Sequence, residues 1–263
     1  MRHATDDDLI YEVNGAIGLV TFNRPLAHNA LTFEMYDRLG EICASVPADG
    51  SLRVLIVTGA GGRAFSAGTD ISLFRTFRSA AEGLAYEERL ESAFGKLERC
   101  KVPTIAAIAG VCTGGAAVIA AACDLRIATR SLKYGFPIAR TLANMLSAAN
   151  VARVAALTGV GRAVDLLLTT RLMGADEALA VGLVSELLDT PQALIERTQA
   201  LAGQIASQAP LTMRAGKEVV RRMRERAASV DDRDLIALCY GSADFQEGIE
   251  AFLTKRPPKF SGR

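Results

Sequence analysis

The sequence predicts an α/β protein: strands and helices alternate to about residue 190, and everything beyond reads as helix. Three observations carry this. Leu52–Thr58 is a short, continuous apolar run, the pattern of a strand buried on both faces. Lys101 to Arg126, KVPTIAAIAGVCTGGAAVIAAACDLR, holds no charge between Lys101 and Asp124 and folds best as a buried strand, turn and helix. From Pro191 onward only helical periodicity remains. The expected organisation is a core over residues 1–190 and a helical region over residues 191–263.

The elements follow in order. Leu9–Val13 and Ile17–Phe22 are strands joined at Asn14-Gly15, a hairpin signal. Thr32 is an N-cap for a helix to about Val46, with Met35, Leu39 and Ile42 on one face. The Leu52–Thr58 strand ends in Gly59-Ala60-Gly61-Gly62. A helix from about Ser79 to Arg99 carries a stripe of Leu84, Leu90, Phe94 and Leu97. Thr104–Ile108 is a buried strand, Gly110–Thr113 a turn, Gly114 to about Ala122 a helix, and Asp124–Ala128 a strand. Short strands at Leu132–Tyr134 and Val184–Leu187 flank several helices between Ala143 and Ala180.

The central apolar stretch is long enough to cross a bilayer, which takes about 20 residues. Its content argues otherwise. It is mostly Ala, Gly and Thr, Pro103 suits a strand edge, and no aromatic belt flanks it. Other classes fall on inventory. A net charge of +1 gives no electrostatic case for nucleic acid. The basic Arg214–Arg226 segment also holds Val219, Val220 and Met223, so it reads as the solvated face of an amphipathic helix. Five cysteines form no CxxC pair, which points to a reducing compartment; with an acidic start and no signal-like apolar segment, a cytoplasmic protein is expected. The two histidines are His3, read as a frayed terminal residue, and His28, too few for a histidine-ligated metal site or a hydrolase triad.

Gly59-Ala60-Gly61-Gly62-Arg63-Ala64 matches a relaxed dinucleotide fingerprint, but Arg63-Ala-Phe-Ser follows where a helix must open. The continuation, Ala64-Phe65-Ser66-Ala67-Gly68-Thr69-Asp70-Ile71, is a small-residue turn. Together with the helix start at Gly114-Gly115, it suits a site in which two main-chain N–H groups converge on one oxygen. A helix N-terminus leaves N–H groups unpaired and favours negative charge, and glycine lets a ligand approach them.

In this order the segments resemble the crotonase (enoyl-CoA hydratase/isomerase) superfamily. Phe22-Asn23-Arg24-Pro25 with Asn29-Ala30-Leu31 resembles its N-terminal signature, and Ala64–Asp70 its first oxyanion loop. Pro103–Gly110 through Gly114-Gly115 and Cys123-Asp124 resembles its second. Ala180-Val181-Gly182-Leu183-Val184 and Ala251–Arg256 resemble its later segments. The resemblance covers nearly the whole chain. It implies a spiral of β-β-α turns followed by a helical trimerisation region, assembled as a homotrimer or hexamer. It implies an acyl-CoA thioester as partner, with coenzyme A as part of the substrate and neither a separate cofactor nor a metal. The N–H groups of Thr69 and Gly115 would bind the thioester oxygen. Ala67, Gly68, Asp70 and Ile71 would border the adenine pocket. Ala27 and His28 would pass near the CoA phosphates, and Phe252 and Lys255 would complete a neighbouring subunit's CoA site.

The chain departs from the family where its hydratases carry two glutamates. The residue three beyond the second donor is Val118, and the residue after Gly135-Phe136-Pro137 is Ile138. Neither activates water nor protonates a carbon. Ordinary hydration is therefore not expected. An acyl-CoA lyase or isomerase with another acid–base group and a non-catalytic acyl-CoA carrier both remain open. Arg140, Thr141, Asn144 and Ser147 are candidate polar pocket residues, with helix capping and intersubunit hydrogen bonds as the alternative. Asp70 reads as a cap or turn residue and Cys112 as a small buried hydrophobe. Glu87 and Glu91, one helical turn apart, are ordinarily solvated at such positions, although a lone carboxylate there could serve double-bond isomerisation.

Overall fold

The structure is a computed structural model that describes residues 8–47, 49–227 and 231–262. His3 lies outside the described residues. Strands β1 (Leu9–Asn14) and β2 (Ile17–Phe22) form the expected hairpin, pairing antiparallel from Leu9↔Phe22 to Asn14↔Ile17. Helix α1 (Phe33–Ser45) starts at Thr32, whose hydroxyl accepts from the Met35 N–H at 3.3 Å.

Three turns of one pattern follow. Strand β3 (Val54–Gly59) leads to β4 (Ala64–Ser66) and helix α2 (Ala80–Glu98). Strand β5 (Thr104–Ile108) leads to β6 (Val111–Thr113) and α3 (Gly115–Ala122). Strand β7 (Leu125–Thr129) leads to β8 (Lys133–Gly135) and the one-turn helix α4 (Ile138–Thr141). The first strand of each turn joins a sheet of order β1-β2-β3-β5-β7-β10, parallel from β2 onward; the second joins a sheet of order β4-β6-β8-β9. This is a spiral of β-β-α turns. The residues expected as a turn at Gly110–Thr113 include β6, which pairs with β4 and β8 and closes the second sheet.

Helices α5 (Ala148–Thr158) and α6 (Val160–Thr169), strand β9 (Met173–Gly174), helix α7 (Ala175–Ala180) and strand β10 (Glu186–Leu188) complete the core. Helices α8 (Pro191–Ala206), α9 (Pro210–Ala227), α10 (Arg233–Tyr240) and α11 (Ala243–Leu253) follow, as the periodicity predicts.

The apolar run of β3 is explained by its two faces. Leu55 and Val57 belong to the main core, whereas Val54 and Ile56 join Ile105, Ala107 and Ile127 in a second cluster closed by Leu194, Ala202 and Ile205 of α8. Among the described residues no helix is long and apolar enough to cross a membrane. The central apolar stretch is buried instead, and the seven residues of α3 after Gly115 are all inaccessible. The basic segment lies on α9, where Lys217 pairs with Asp124 at 2.7 Å and Arg224 with Glu98 at 3.3 Å.

Candidate active site

Two loops meet at one place. The first follows β4 and is fastened to the loop before α1. The Ala67 N–H donates to the His28 carbonyl at 2.9 Å, the Leu31 N–H to the Gly68 carbonyl at 2.8 Å, and the Asp70 N–H to the Leu31 carbonyl at 2.8 Å. This is the bonding of a parallel bridge centred on Thr69. Because Gly68 and Asp70 both bond Leu31, the Thr69 N–H faces away from it. Asn29 anchors the opposite side: wholly buried, it donates to the carbonyls of Ala60 (3.0 Å) and Ala64 (2.8 Å) and accepts from the Arg24 N–H (3.0 Å).

The second loop is the entry to α3. Its Gly114 N–H donates to the Gly135 carbonyl at 3.0 Å. The Thr113 hydroxyl donates to the Ala67 carbonyl at 3.0 Å and ties the two loops together. Gly68 has φ +93, and a Cβ there would stand 2.8 Å from the Thr113 carbonyl oxygen and 3.5 Å from the Gly115 nitrogen. Glycine is therefore required by both conformation and space. Gly115 is the first residue of α3, so its N–H has no partner within the helix. Among the described residues, neither the Thr69 nor the Gly115 N–H bonds another protein atom. At the other end of α3 the buried Arg126 guanidinium donates to the carbonyls of Cys123 (2.6 Å) and Ala120 (3.3 Å).

Tyrosines lock this arrangement. The Tyr36 and Tyr86 hydroxyls each lie 2.8 Å from the Thr69 hydroxyl, one on either side. Burial raises the pKa of both phenols well above the ordinary value, so they stay neutral. Tyr36 also abuts the second loop: a Cβ at position 115 would stand 2.1 Å from its hydroxyl oxygen.

The loops open on a cavity of about 400 Å³. Ala27, His28, Ala67, Gly68, Thr69, Asp70, Ile71, Gly115, Thr141, Asn144 and Phe252 all line it. Val118 and Ile138 line it too, so the two positions that lack carboxylates face the same space. One expectation needs correction. Arg140 is exposed and outside the lining, because the single turn of α4 carries it to the outer side. Lys255, expected at a neighbouring subunit's site, is exposed and lies outside this chain's own lining. Phe252, expected beside a neighbouring subunit, borders this chain's own cavity while remaining 51% exposed.

Asp70 is the cap its sequence suggested. It accepts from the Ser72 N–H at 3.1 Å and pairs with Arg24 at 3.0 Å. Burial pushes its pKa up, but the Ser72 hydroxyl and Arg24 outweigh that and hold it below the usual carboxylate value. Cys112 is fully buried, which drives its thiol pKa up and leaves it an inert hydrophobe. Thr141 donates to the Pro137 carbonyl at 2.9 Å.

Glu87 is the surprise. It is 6% exposed rather than solvated, and it lines the cavity. Tyr240 of α10 donates to its Oε1 at 2.7 Å and in turn accepts from the Asn144 side-chain amide at 3.1 Å. Burial, opposed by the Tyr240 bond and reinforced by Asp232 and Glu91, raises its pKa to about 7. Glu91, by contrast, pairs with Arg153 at 2.6 Å. Sequence reasoning missed Tyr36, Tyr86 and Tyr240. Tyr36 falls three residues before Leu39 on an apolar stripe, and nothing along the chain connects Tyr240 with position 87.

The enoyl-CoA hydratase/isomerase family profile matches residues 12–263. The chain belongs to the enoyl-CoA hydratase/isomerase family. It is 32% identical to a crotonyl-CoA hydratase of Syntrophomonas wolfei over 97% of this chain and 98% of the relative. A solved enoyl-CoA hydratase/carnithine racemase of Magnetospirillum magneticum superposes with a TM-score of 0.79 at 34% identity, covering 98% of this chain and 96% of the other. A methylmalonyl-CoA decarboxylase, solved with 2-nitronate-propionyl-CoA, reaches a TM-score of 0.86 at 25% identity over 97% of this chain and 98% of the other. The fold of this family member is thus the crotonase fold.

Proposed function

We propose that the protein binds an acyl-CoA thioester and polarises its carbonyl with the N–H groups of Thr69 and Gly115. One observation supports the reading: two loops, tied by Thr113 to Ala67, bring Thr69 and Gly115 to the lining of one cavity, and neither N–H has another protein acceptor among the described residues. Donors fixed in a water-poor site stabilise a developing oxyanion, each worth about 3–4 kcal/mol at the transition state. The positive end of α3 adds to them. Ala27, His28, Ala67, Gly68, Asp70 and Ile71 would hold the CoA portion, with Phe252 at the rim. The thioester brings its own coenzyme A, so the reading needs neither a further cofactor nor a metal. The helical region over residues 191–263 would assemble copies into a homotrimer or hexamer, where Lys255 could reach a neighbour's CoA. Such a protein would work in the cytoplasm.

The reading departs from the names of its relatives on one point. Hydration needs one group to activate water and another to protonate the α-carbon, and Val118 and Ile138 can do neither. Crotonyl-CoA should therefore bind with its double bond intact, or be hydrated far more slowly than by a hydratase. Calorimetry of the binding, with the conjugated enoyl absorbance followed in parallel, tests both halves. Absence of binding refutes the site; hydration at a hydratase's rate refutes the argument from Val118 and Ile138. A carrier without chemistry is the second reading, favoured by the same two side chains.

A further inference from the structure

We propose that Glu87 is a catalytic residue of this site, moving a proton between the α- and γ-carbons of a bound enoyl thioester. The inference rests on the acyl-CoA reading above and assigns the reaction that this reading leaves open.

The geometry of the carboxyl carries it. Glu87 is 6% exposed, and no lysine or arginine pairs with it among the described residues. A buried carboxyl without a cation is costly, and a structural role would call for a counter-ion. The nearby Arg153 is spent elsewhere, on Glu91 at 2.6 Å and Glu98 at 2.9 Å. Tyr240 holds Oε1 and the Ser147 main chain lies close enough to favour the ionised form, while Oε2 is buried without a hydrogen bond of ordinary geometry, and the residue borders the cavity. Around the same space lie Leu90, Phe94, Val118 and Leu146, an apolar lining that suits an acyl chain.

The surroundings hold the group in place. Gly83, one turn before Glu87 on α2, lies flat against the Tyr240 ring: a Cβ there would stand 2.2 Å from its Cγ. Asn144 fixes the Tyr240 hydroxyl from the far side. The titratable groups facing Glu87 are Tyr240 of α10, Asp232 just before α10, and Glu91 on its own helix; Tyr36 of α1 and Tyr86 of α2 lie within electrostatic range. None is a cation. Both protonation states are therefore accessible near neutral pH, the condition for a group that takes and returns a proton.

The step balances without a co-reactant. Ionised Glu87 takes a proton from the α-carbon of a 3-enoyl thioester. The C–H electrons form a dienolate whose charge rests on the thioester oxygen, facing the Thr69 and Gly115 N–H groups. Protonated Glu87 returns the same proton to the γ-carbon, and the double bond re-forms between the α- and β-carbons. Nothing is oxidised or reduced. Water is not consumed, which fits a site whose residues 118 and 138 are hydrocarbon.

The test uses the full chain with 3-hexenoyl-CoA and follows the conjugated enoyl absorbance. The wild type should turn over, with a rate that rises with pH through a single inflection near neutrality. E87Q, an isosteric change, should lose about 10²-fold or more in kcat while thioester affinity stays within about 3-fold. E87D should retain part of the rate, and Y240F should move the inflection to higher pH, since the lost bond favours the ionised form. Should E87Q fail to fold, the E87D and Y240F profiles still decide. Thioester binding without isomerisation, or E87Q at the wild-type rate, overturns the role of Glu87 and leaves the acyl-CoA site standing. Absence of binding overturns the site itself.

Discussion

Substituting alanine for Gly115 should damage the site through a residue far away in sequence, and a second substitution should rescue it. The added Cβ would stand 2.1 Å from the Tyr36 hydroxyl oxygen, where real Cβ contacts begin at about 3.0 Å. Either α3 or Tyr36 must therefore retreat by about 0.9 Å. Tyr36 and the seven residues of α3 after Gly115 are buried, so such a shift disturbs close packing. Overpacking of this kind typically costs about 1–3 kcal/mol. A 1 Å displacement of the proposed donor could also cost about 10²-fold in rate. Tyr36→Phe removes the offending atom, and the nearest ring carbon then lies 3.2 Å away, a contact that small movements can absorb. Alone, Tyr36→Phe loses one hydrogen bond to Thr69, worth about 1 kcal/mol. The double variant should therefore be more stable than the summed single costs by about 1 kcal/mol or more, a coupling typical of touching side chains. Urea unfolding of the four proteins, with thioester affinity measured in parallel, gives the coupling. Strict additivity would show that Tyr36 and Gly115 do not meet as described.

Other substitutions bear on the same framework. Asn29→Ala leaves two buried carbonyls and the Arg24 N–H unpaired and should cost about 3 kcal/mol by urea unfolding. Gly83→Ala forces a Cβ against Tyr240 and should lower stability by about 1–3 kcal/mol, with the Glu87 environment disturbed in the pH profile. The fold holds the Glu87 carboxyl above its ordinary 4.5, at about 7, so the stability it contributes is complete below about 4.5 and is lost as pH rises through 7. At about 1.4 kcal/mol per pH unit, the full loss is about 3–4 kcal/mol, of which about 2–3 kcal/mol falls between pH 5 and 8, so wild type minus E87Q in unfolding free energy should fall by that amount over this range; a flat difference refutes the burial argument. Replacing Val118 and Ile138 together with glutamate should bring measurable hydration of crotonyl-CoA, and a folded, thioester-binding double variant that lacks it would remove those positions from the reacting centre.

Much of the core was legible along the chain because single elements announce themselves by period and cap. Thr104–Ile108 is read from its apolar run with the bounds it has in space, and Thr32 caps α1 as its residue type suggests. The short strand β6 was read as a turn because its three residues are defined by pairing with β4 and β8, which no local pattern reveals. The candidate site divides in the same way. The loops at Ala64–Asp70 and Gly114-Gly115 stand out along the chain as small-residue segments, and the choice of Thr69 and Gly115 within them comes from the resemblance to the crotonase superfamily. Glu87 looked like one more carboxylate on an amphipathic helix: its burial comes from Tyr240, which is 153 residues away. Arg140 failed for the converse reason, since polarity near a pocket does not say which way one helical turn points.

The hydroxyl chain Tyr36–Thr69–Tyr86 has a consequence for what acidity can do to this protein. Its three members keep their protons throughout the range in which cells live, because desolvation makes phenolate too costly. The proposed electrostatic grip on a carbonyl would thus be constant, built from dipoles that carry no net charge to gain or lose. A response of the pocket to acidity near neutrality is expected at Glu87, whose pKa burial raises to about 7.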